Sequence, residues 1–229
     1  MLEMRCGMFV KADTFLEKIR PNQKINYDSV LRQMTETWKS APRRPKLLIQ
    51  SCCGPCSTYV LEMLVPHADI ILYFFNPNIH PLSEYELRRD TQRRFIEEFN
   101  RTTGSSIVFM EGEYVPELFF KRTEALKDEP EGGKRCWVCY RIRMEHAAER
   151  ARELGCDYFA STLTVSPMKN SNKVNEFGLE IQQTAGIYYL PSDFKKTGGY
   201  QRSIQLSKSY ELYRQSYCGC IYSKRVVSE

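Results

Sequence analysis

From residue 46 onward, short uninterrupted apolar runs alternate with longer segments in which apolar residues recur every three or four positions. The runs at 47–50, 69–75, 107–109, 158–161 and 187–190 lack the two-residue alternation of a half-exposed strand, and they predict strands buried on both faces. The segments 56–65, 83–99, 115–126, 136–154, 171–182 and 197–213 predict helices. Ser83-Glu84-Tyr85-Glu86 has the form of an N-cap with a capping box. Strand and helix in strict alternation predict an α/β protein: one doubly wound, mostly parallel sheet of about five strands with helices on both faces.

Upstream of residue 46 the patterning is weak. One helix is predicted over 27–38, with Val30, Leu31 and Met34 facing the main body, and Pro42-Arg43-Arg44-Pro45 punctuates the chain after it. Residues 1–45 are therefore read as an N-terminal extension, and residues 46–229 as the α/β domain.

Composition narrows the class. The chain has 229 residues, 42% apolar and 27% charged, which suits one soluble domain with a substantial core. No signal-like apolar run follows the first residues and no stretch approaches the roughly 20 apolar residues needed to span a bilayer. A cytoplasmic protein is expected, with no membrane partner. In that reducing compartment clustered cysteines point to metal binding or catalysis more than to disulfides. The net charge of +5 permits an anionic partner without demanding one.

Seven of the nine cysteines fall into three groups: Cys52, Cys53 and Cys56; Cys136 and Cys139; Cys218 and Cys220. Each group lies at a predicted loop or helix start. The first directly follows a strand and opens a helix, a junction where α/β proteins bind ligands, but with three thiols and one glycine in place of a phosphate-cradling glycine loop. C-x-x-C at a helix start points both sulfurs one way, and C-G-C turns tightly enough to do the same. Four thiols make a closed zinc site or a 4Fe–4S cluster, leaving three for a second metal or a redox pair. Cys6 and Cys156 are assigned to packing. Among the three histidines, His67 and His146 are read as surface or packing residues, and His80 stands in the loop after the second strand.

Two other loops follow strands. Ser161 to Asn170 is rich in hydroxyls and carries Lys169, and Pro191 to Gly199 carries Asp193, Lys195 and Lys196; both suit phosphate or ribose oxygens, or ordinary capping. Among the basic pairs, Lys134-Arg135 stands beside Cys136, well placed for an anionic substrate, whereas Arg89 and Arg93 fit either phosphates or a solvated helix face.

With these motifs in order, Cys52-Cys53-Gly54-Pro55-Cys56-Ser57, Phe75-Asn76-Pro77-Asn78-Ile79, Lys134 to Arg141, Ser161-Thr162-Leu163, Ser166-Pro167, Asp193 to Lys196 and Tyr213 to Cys220, the chain resembles the cobalamin-independent epoxyqueuosine reductases over about residues 24–223. The resemblance implies a fold related to the ATP-pyrophosphatase-like (HUP-type) group, with the cysteine-rich metal site at the C-terminal edge of the sheet and no use of ATP. It implies reduction of the epoxide of epoxyqueuosine in transfer RNA, a 4Fe–4S cluster, and a second metal ion, taken as iron. An external one-electron donor of ferredoxin or flavodoxin type is then required, since no nicotinamide or flavin fingerprint is present.

Within that resemblance Cys53, Cys136, Cys139 and Cys218 are assigned to the cluster, and Cys52, Cys56 and Cys220 to the second ion. Adjacent residues of an extended chain point to opposite sides, which separates Cys52 from Cys53 without saying which faces which metal. Asp193 is the candidate proton donor, and Lys134, Arg135, Ser166, Lys169, Lys195 and Lys196 are candidate substrate contacts. The competing readings are an ATP-dependent sulfur-transferring enzyme of transfer RNA modification, and a non-enzymatic zinc or iron–sulfur module that binds RNA.

Overall fold

The computed structural model describes residues 9–20 and 23–223. Cys6, read as a packing residue, lies outside them. Five strands form one sheet: β1 (Lys46–Gln50), β2 (Asp69–Phe74), β3 (Val108–Glu111), β4 (Tyr158–Ser161) and β5 (Tyr188–Tyr189). Every pairing is parallel, in the order β3-β2-β1-β4-β5, so the chain winds outward from β1 in one direction and then, from β4, in the other.

The helices are α1 (Asp13–Leu16), α2 (Tyr27–Trp38), α3 (Gly54–Leu64), α4 (Leu82–Thr103), α5 (Pro116–Thr123), α6 (Lys134–Glu153), α7 (Ser171–Ala185) and α8 (Gly199–Ser209). Alternate strand residues feed two separate cores, as the two-residue period of a strand requires. Leu47, Ile49, Leu72 and Ala160 pack with α2, α3 and α4 through Val30, Leu31, Leu61 and Phe95. Leu48, Ile71, Tyr73 and Phe159 pack on the opposite face with α6 and α7 through Ile142, Met144, Val174 and Ile181. Both faces being covered explains why the strands read as continuous apolar runs.

α2 begins and ends where the sequence places it, because the Asn26 side chain accepts from the Ser29 amide at its start. Its Trp38 donates to the Tyr158 hydroxyl at 3.3 Å, beside β4.

Four local expectations are corrected. The capping box of Ser83 and Glu86 does not form: Pro81 is the N-cap of α4, which puts Ser83 inside the first helical turn. β3 starts one residue late because the Ile107 amide donates to the Asn100 side chain. β5 is reduced to two residues, with the Tyr189 amide donating to Gln182. α8 stops at Ser209 rather than near Tyr213; Glu211 adopts a φ of +49°, which ends the helical path, and the chain then runs irregularly to Cys218. No helix of the described residues is long and apolar enough to cross a membrane.

Candidate metal centre and active site

The loop after β1 is held by buried polar side chains before any ligand is considered. Asn76 donates to the Ser51 carbonyl at 2.8 Å, and the Ser51 hydroxyl donates to Gln92, which in turn donates to Ser57. Gln50 donates to the Phe75 carbonyl at 3.0 Å, tying the ends of β1 and β2 together. On this frame Cys53 is the extended N-cap of α3 and Pro55 sits in the first turn, where its missing N–H costs nothing.

The sulfurs of Cys53 and Cys56 are 2.9 Å apart and those of Cys52 and Cys53 3.7 Å apart. All three lie within 4.8 Å of one another, a spacing that lets one metal ion reach all three. Hydrogen bonds from Cys53 and Cys56, helped by the Arg143 charge, hold the Cys52 thiol well below its ordinary range. The same bonds, seen from the donors, push Cys53 up to about 12 and raise Cys56. The three thiols are thus linked by hydrogen bonds in one close group, and a metal bound there would displace their protons.

The other four thiols come from α6 and the C-terminal segment. Cys136 and Cys139 lie in the first turns of α6, where the Gly132 amide donates to the Cys136 sulfur at 3.2 Å. Gly219, at φ +96°, makes the turn between Cys218 and Cys220 in a conformation other residues rarely adopt. Arg88 clamps that turn by donating to the carbonyls of Cys218 and Tyr217, each at 3.1 Å, and the His80 amide donates to the Gly219 carbonyl. A hydrogen bond from Cys220, with the nearby Lys169 charge, draws Cys218 down to about 4, whereas burial pushes Cys139 up to about 11.

Cys52, Cys56, Cys136, Cys139, Cys218 and Cys220 all line a single cavity of about 710 Å³. Cys53 touches it indirectly, through Cys56 and through Gln215, whose side-chain amide donates to the Cys53 sulfur at 3.0 Å. The loops after β1 and β4 meet there, with the Cys52 sulfur 3.8 Å from the Thr162 hydroxyl.

Of the substrate contacts named from sequence, Arg135, Ser166 and Lys169 line the cavity, and Lys134, Lys195 and Lys196 do not. Lys196 instead reaches Asn26. Asp193 is buried away from the cavity lining and pairs with Lys195 at 3.2 Å, and Lys195 also donates to the Lys169 carbonyl at 3.2 Å. Most hydroxyls of the loop after β4 serve internal bonds: Ser161 donates to Gln50, and Thr164 bonds Ser192. Arg89 and Arg93 both pair with Asp90 and Glu111, so that helix face is an ion-paired surface. His146 stacks on Phe75 at 4.2 Å, a packing role, and Cys156 is buried just before β4.

Sequence reading missed three contributors. Arg143 is buried on the cavity wall four residues after Cys139, one turn along α6, a spacing that in retrospect marks it. Arg88 and Gln215 meet the cysteines only through tertiary contacts and leave no local signal.

The fold and cavity define an α/β protein with a parallel five-stranded sheet and a thiol-lined site whose Cys52, Cys53 and Cys56 could hold a metal ion. The family model described as Epoxyqueuosine reductase QueH matches residues 47–226. Over 216 residues the chain is 49% identical to the Epoxyqueuosine reductase QueH of Staphylococcus epidermidis, covering 93% of this chain and 90% of that protein. It is 48% identical over 211 residues to the one from Streptococcus pyogenes serotype M1, covering 92% and 83%. With that of Thermotoga maritima the identity is 37% over 180 residues, 77% and 89% of the two chains. The chain belongs to the epoxyqueuosine reductase QueH family.

Proposed function

We propose that this chain is an epoxyqueuosine reductase. It reduces the epoxide on the cyclopentane ring of epoxyqueuosine, at the wobble position of a transfer RNA, to an alkene. Two electrons and two protons enter per turnover and the epoxide oxygen leaves as water. The observation that carries this reading is the cavity. Six thiol side chains face it together with Arg143 and Lys169, two cations that have no carboxylate partner among the described residues.

The donor set fits metal. Three sulfurs lie within reach of one ion, and the polar atoms around them, Arg143 Nε, Tyr140 OH and Gln215 Oε1, are buried without a protein partner. In this reading Cys53, Cys136, Cys139 and Cys218 hold a 4Fe–4S cluster and Cys52, Cys56 and Cys220 a second ion, iron, so that the Cys52, Cys53 and Cys56 group, close enough to serve one ion, is shared between the two. When bound, these groups supply single electrons and a Lewis acid for the epoxide oxygen. An external donor of ferredoxin or flavodoxin type refills them, in the cytoplasm.

The protein's own part is binding, orientation and proton supply. Tyr140 OH, Asn78 Oδ1 and Gln215 Oε1 line the cavity without partners and await polar atoms of the substrate. Lys169 stands over the Tyr140 ring at 5.8 Å. Burial disfavours its ammonium, but the facing Cys218 thiolate outweighs that and raises its pKa, so it stays protonated and can give a proton to the departing oxygen. Asp193 acts at one remove: through Lys195 it fixes the backbone of Lys169. The ATP-dependent sulfur transferase and the non-enzymatic RNA-binding module have no observation in their favour.

The test is turnover. Protein loaded with iron and sulfide without oxygen, then mixed with dithionite and epoxyqueuosine-containing transfer RNA, is expected to remove one oxygen atom from the modified base, read by mass spectrometry. A folded, iron-loaded protein that leaves the epoxide intact with that reductant overturns the reading.

A further inference from the structure

A buried cation normally has a carboxylate against it, because an uncompensated charge in the interior is strongly disfavoured. Arg143 breaks this rule. It is 3% exposed, and it makes no ion pair with any carboxylate of the described residues. Its only hydrogen bond to an oxygen is a long one, 3.4 Å from Nη2 to Gln50 Oε1, and its Nε has no partner at all. Its Nε donor is thus uncommitted, in a residue that lines the thiol cavity.

Its position is as telling as its lack of partners. The groups its charge engages are the sulfurs of Cys139 and Cys52, one from each end of the thiol assembly. Cys139 stands one turn before it on α6, and Cys52 comes from the loop after β1. The Gln50 that it touches is the last residue of β1, and also accepts from Ser161 at the end of β4, so the guanidinium is fixed at the seam between the two central strands.

We propose that Arg143 is a positioning residue that joins the two thiol sets and, through its fixed charge and N–H groups directed at sulfur, raises the reduction potential of the metal they hold. N–H donors and positive charge near ligating sulfur favour the reduced, more negative state of an iron–sulfur centre. A cluster poised higher accepts electrons from a wider range of one-electron donors, at the cost of some driving force toward the epoxide. The inference rests on the metal reading above, and it concerns this chain's own side chain, not the substrate.

The experiment is a spectroscopic redox titration of the iron-loaded wild type beside Arg143→Lys and Arg143→Gln, with iron and sulfide quantified on each sample. The midpoint potential is expected to shift to more negative values in Arg143→Gln, with Arg143→Lys between it and the wild type, because lysine keeps the charge and loses the second donor arm. If Arg143→Gln fails to retain metal, the lysine variant decides: a shifted potential supports the assignment, and one equal to wild type overturns it. An unchanged potential in a fully loaded Arg143→Gln also overturns it, and a change in melting temperature alone identifies a brace for Gln50. A wild type that takes up no redox-active iron removes the metal reading and this inference together. A wild type that titrates but does not turn over removes only the assigned reaction.

Discussion

The side-chain amide of Gln215 donates to the sulfur of Cys53 at 3.0 Å, joining residues 162 positions apart in the chain. That bond ties the irregular segment carrying Cys218 to the first cysteine loop. Replacing Gln215 by Ala removes one such bond, worth about 1 kcal/mol. Gln215→Ala is expected to melt close to wild type but to release metal to a chelator severalfold faster. Equal release rates would show that the contact is incidental.

Gly219 makes the turn between the last two cysteines under the Arg88 clamp. A Cβ there would lie 2.9 Å from the Ile79 side chain and 3.0 Å from Arg88 Nη1, at a φ of +96°. Gly219→Ala is expected to cost about 1–3 kcal/mol, felt as a lower denaturation midpoint and reduced metal content. A variant with full metal content and unchanged stability would contradict the geometry.

Lys169 lines the cavity and is the proposed proton donor, with Asp193 holding its backbone through Lys195. Lys169→Met is expected to lower kcat by about a hundredfold or more, whereas Asp193→Asn lowers it less. The ratio of the two defects is the readout, from single-turnover conversion of the modified transfer RNA. A larger loss in Asp193→Asn would return the proton to the carboxylate.

Burial lowers the His146 pKa from 6.5, with Arg122 and Arg150 lowering it further against Glu149 and Glu145. The folded protein therefore takes up its proton at lower pH than the unfolded chain does. The stability this imidazole supports is complete above the unfolded value and is lost as pH falls through the folded one. Denaturation of the metal-free protein is expected at lower urea concentrations at about pH 5.5 than at about pH 7.5. His146→Phe, which keeps the stacking on Phe75, should flatten part of that slope, and His67, lowered by burial as well, should keep the remainder.

Legibility in the sequence followed how local each cause was. The strand at Tyr158–Ser161 and the helix at Tyr27–Trp38 appear where apolar patterning and a capping Asn26 place them, since both depend on neighbours in sequence. The capping box of Ser83 and Glu86 was misleading because α4 already starts at Leu82 behind Pro81, which leaves Ser83 in the first turn instead of at the cap. The cysteine groups were evident from spacing alone. The geometry added what spacing omits: Cys52, Cys53 and Cys56 gather as one set, and Cys53 turns toward Cys56 and Gln215. Arg143, Arg88 and Gln215 were invisible because arginine and glutamine carry no metal signature, and only the fold brings them to sulfur.

The most direct test of the account combines metal content and chemistry in one anaerobic preparation. Iron, sulfide and conversion of epoxyqueuosine in transfer RNA are measured for wild type, Cys52→Ser and Cys139→Ser. The account predicts roughly four irons or more per chain and full conversion in the wild type, with conversion lost when either thiol set is broken. Undiminished conversion in either serine variant, or zinc alone and no conversion in a folded wild type, would contradict a single redox site built from both sets.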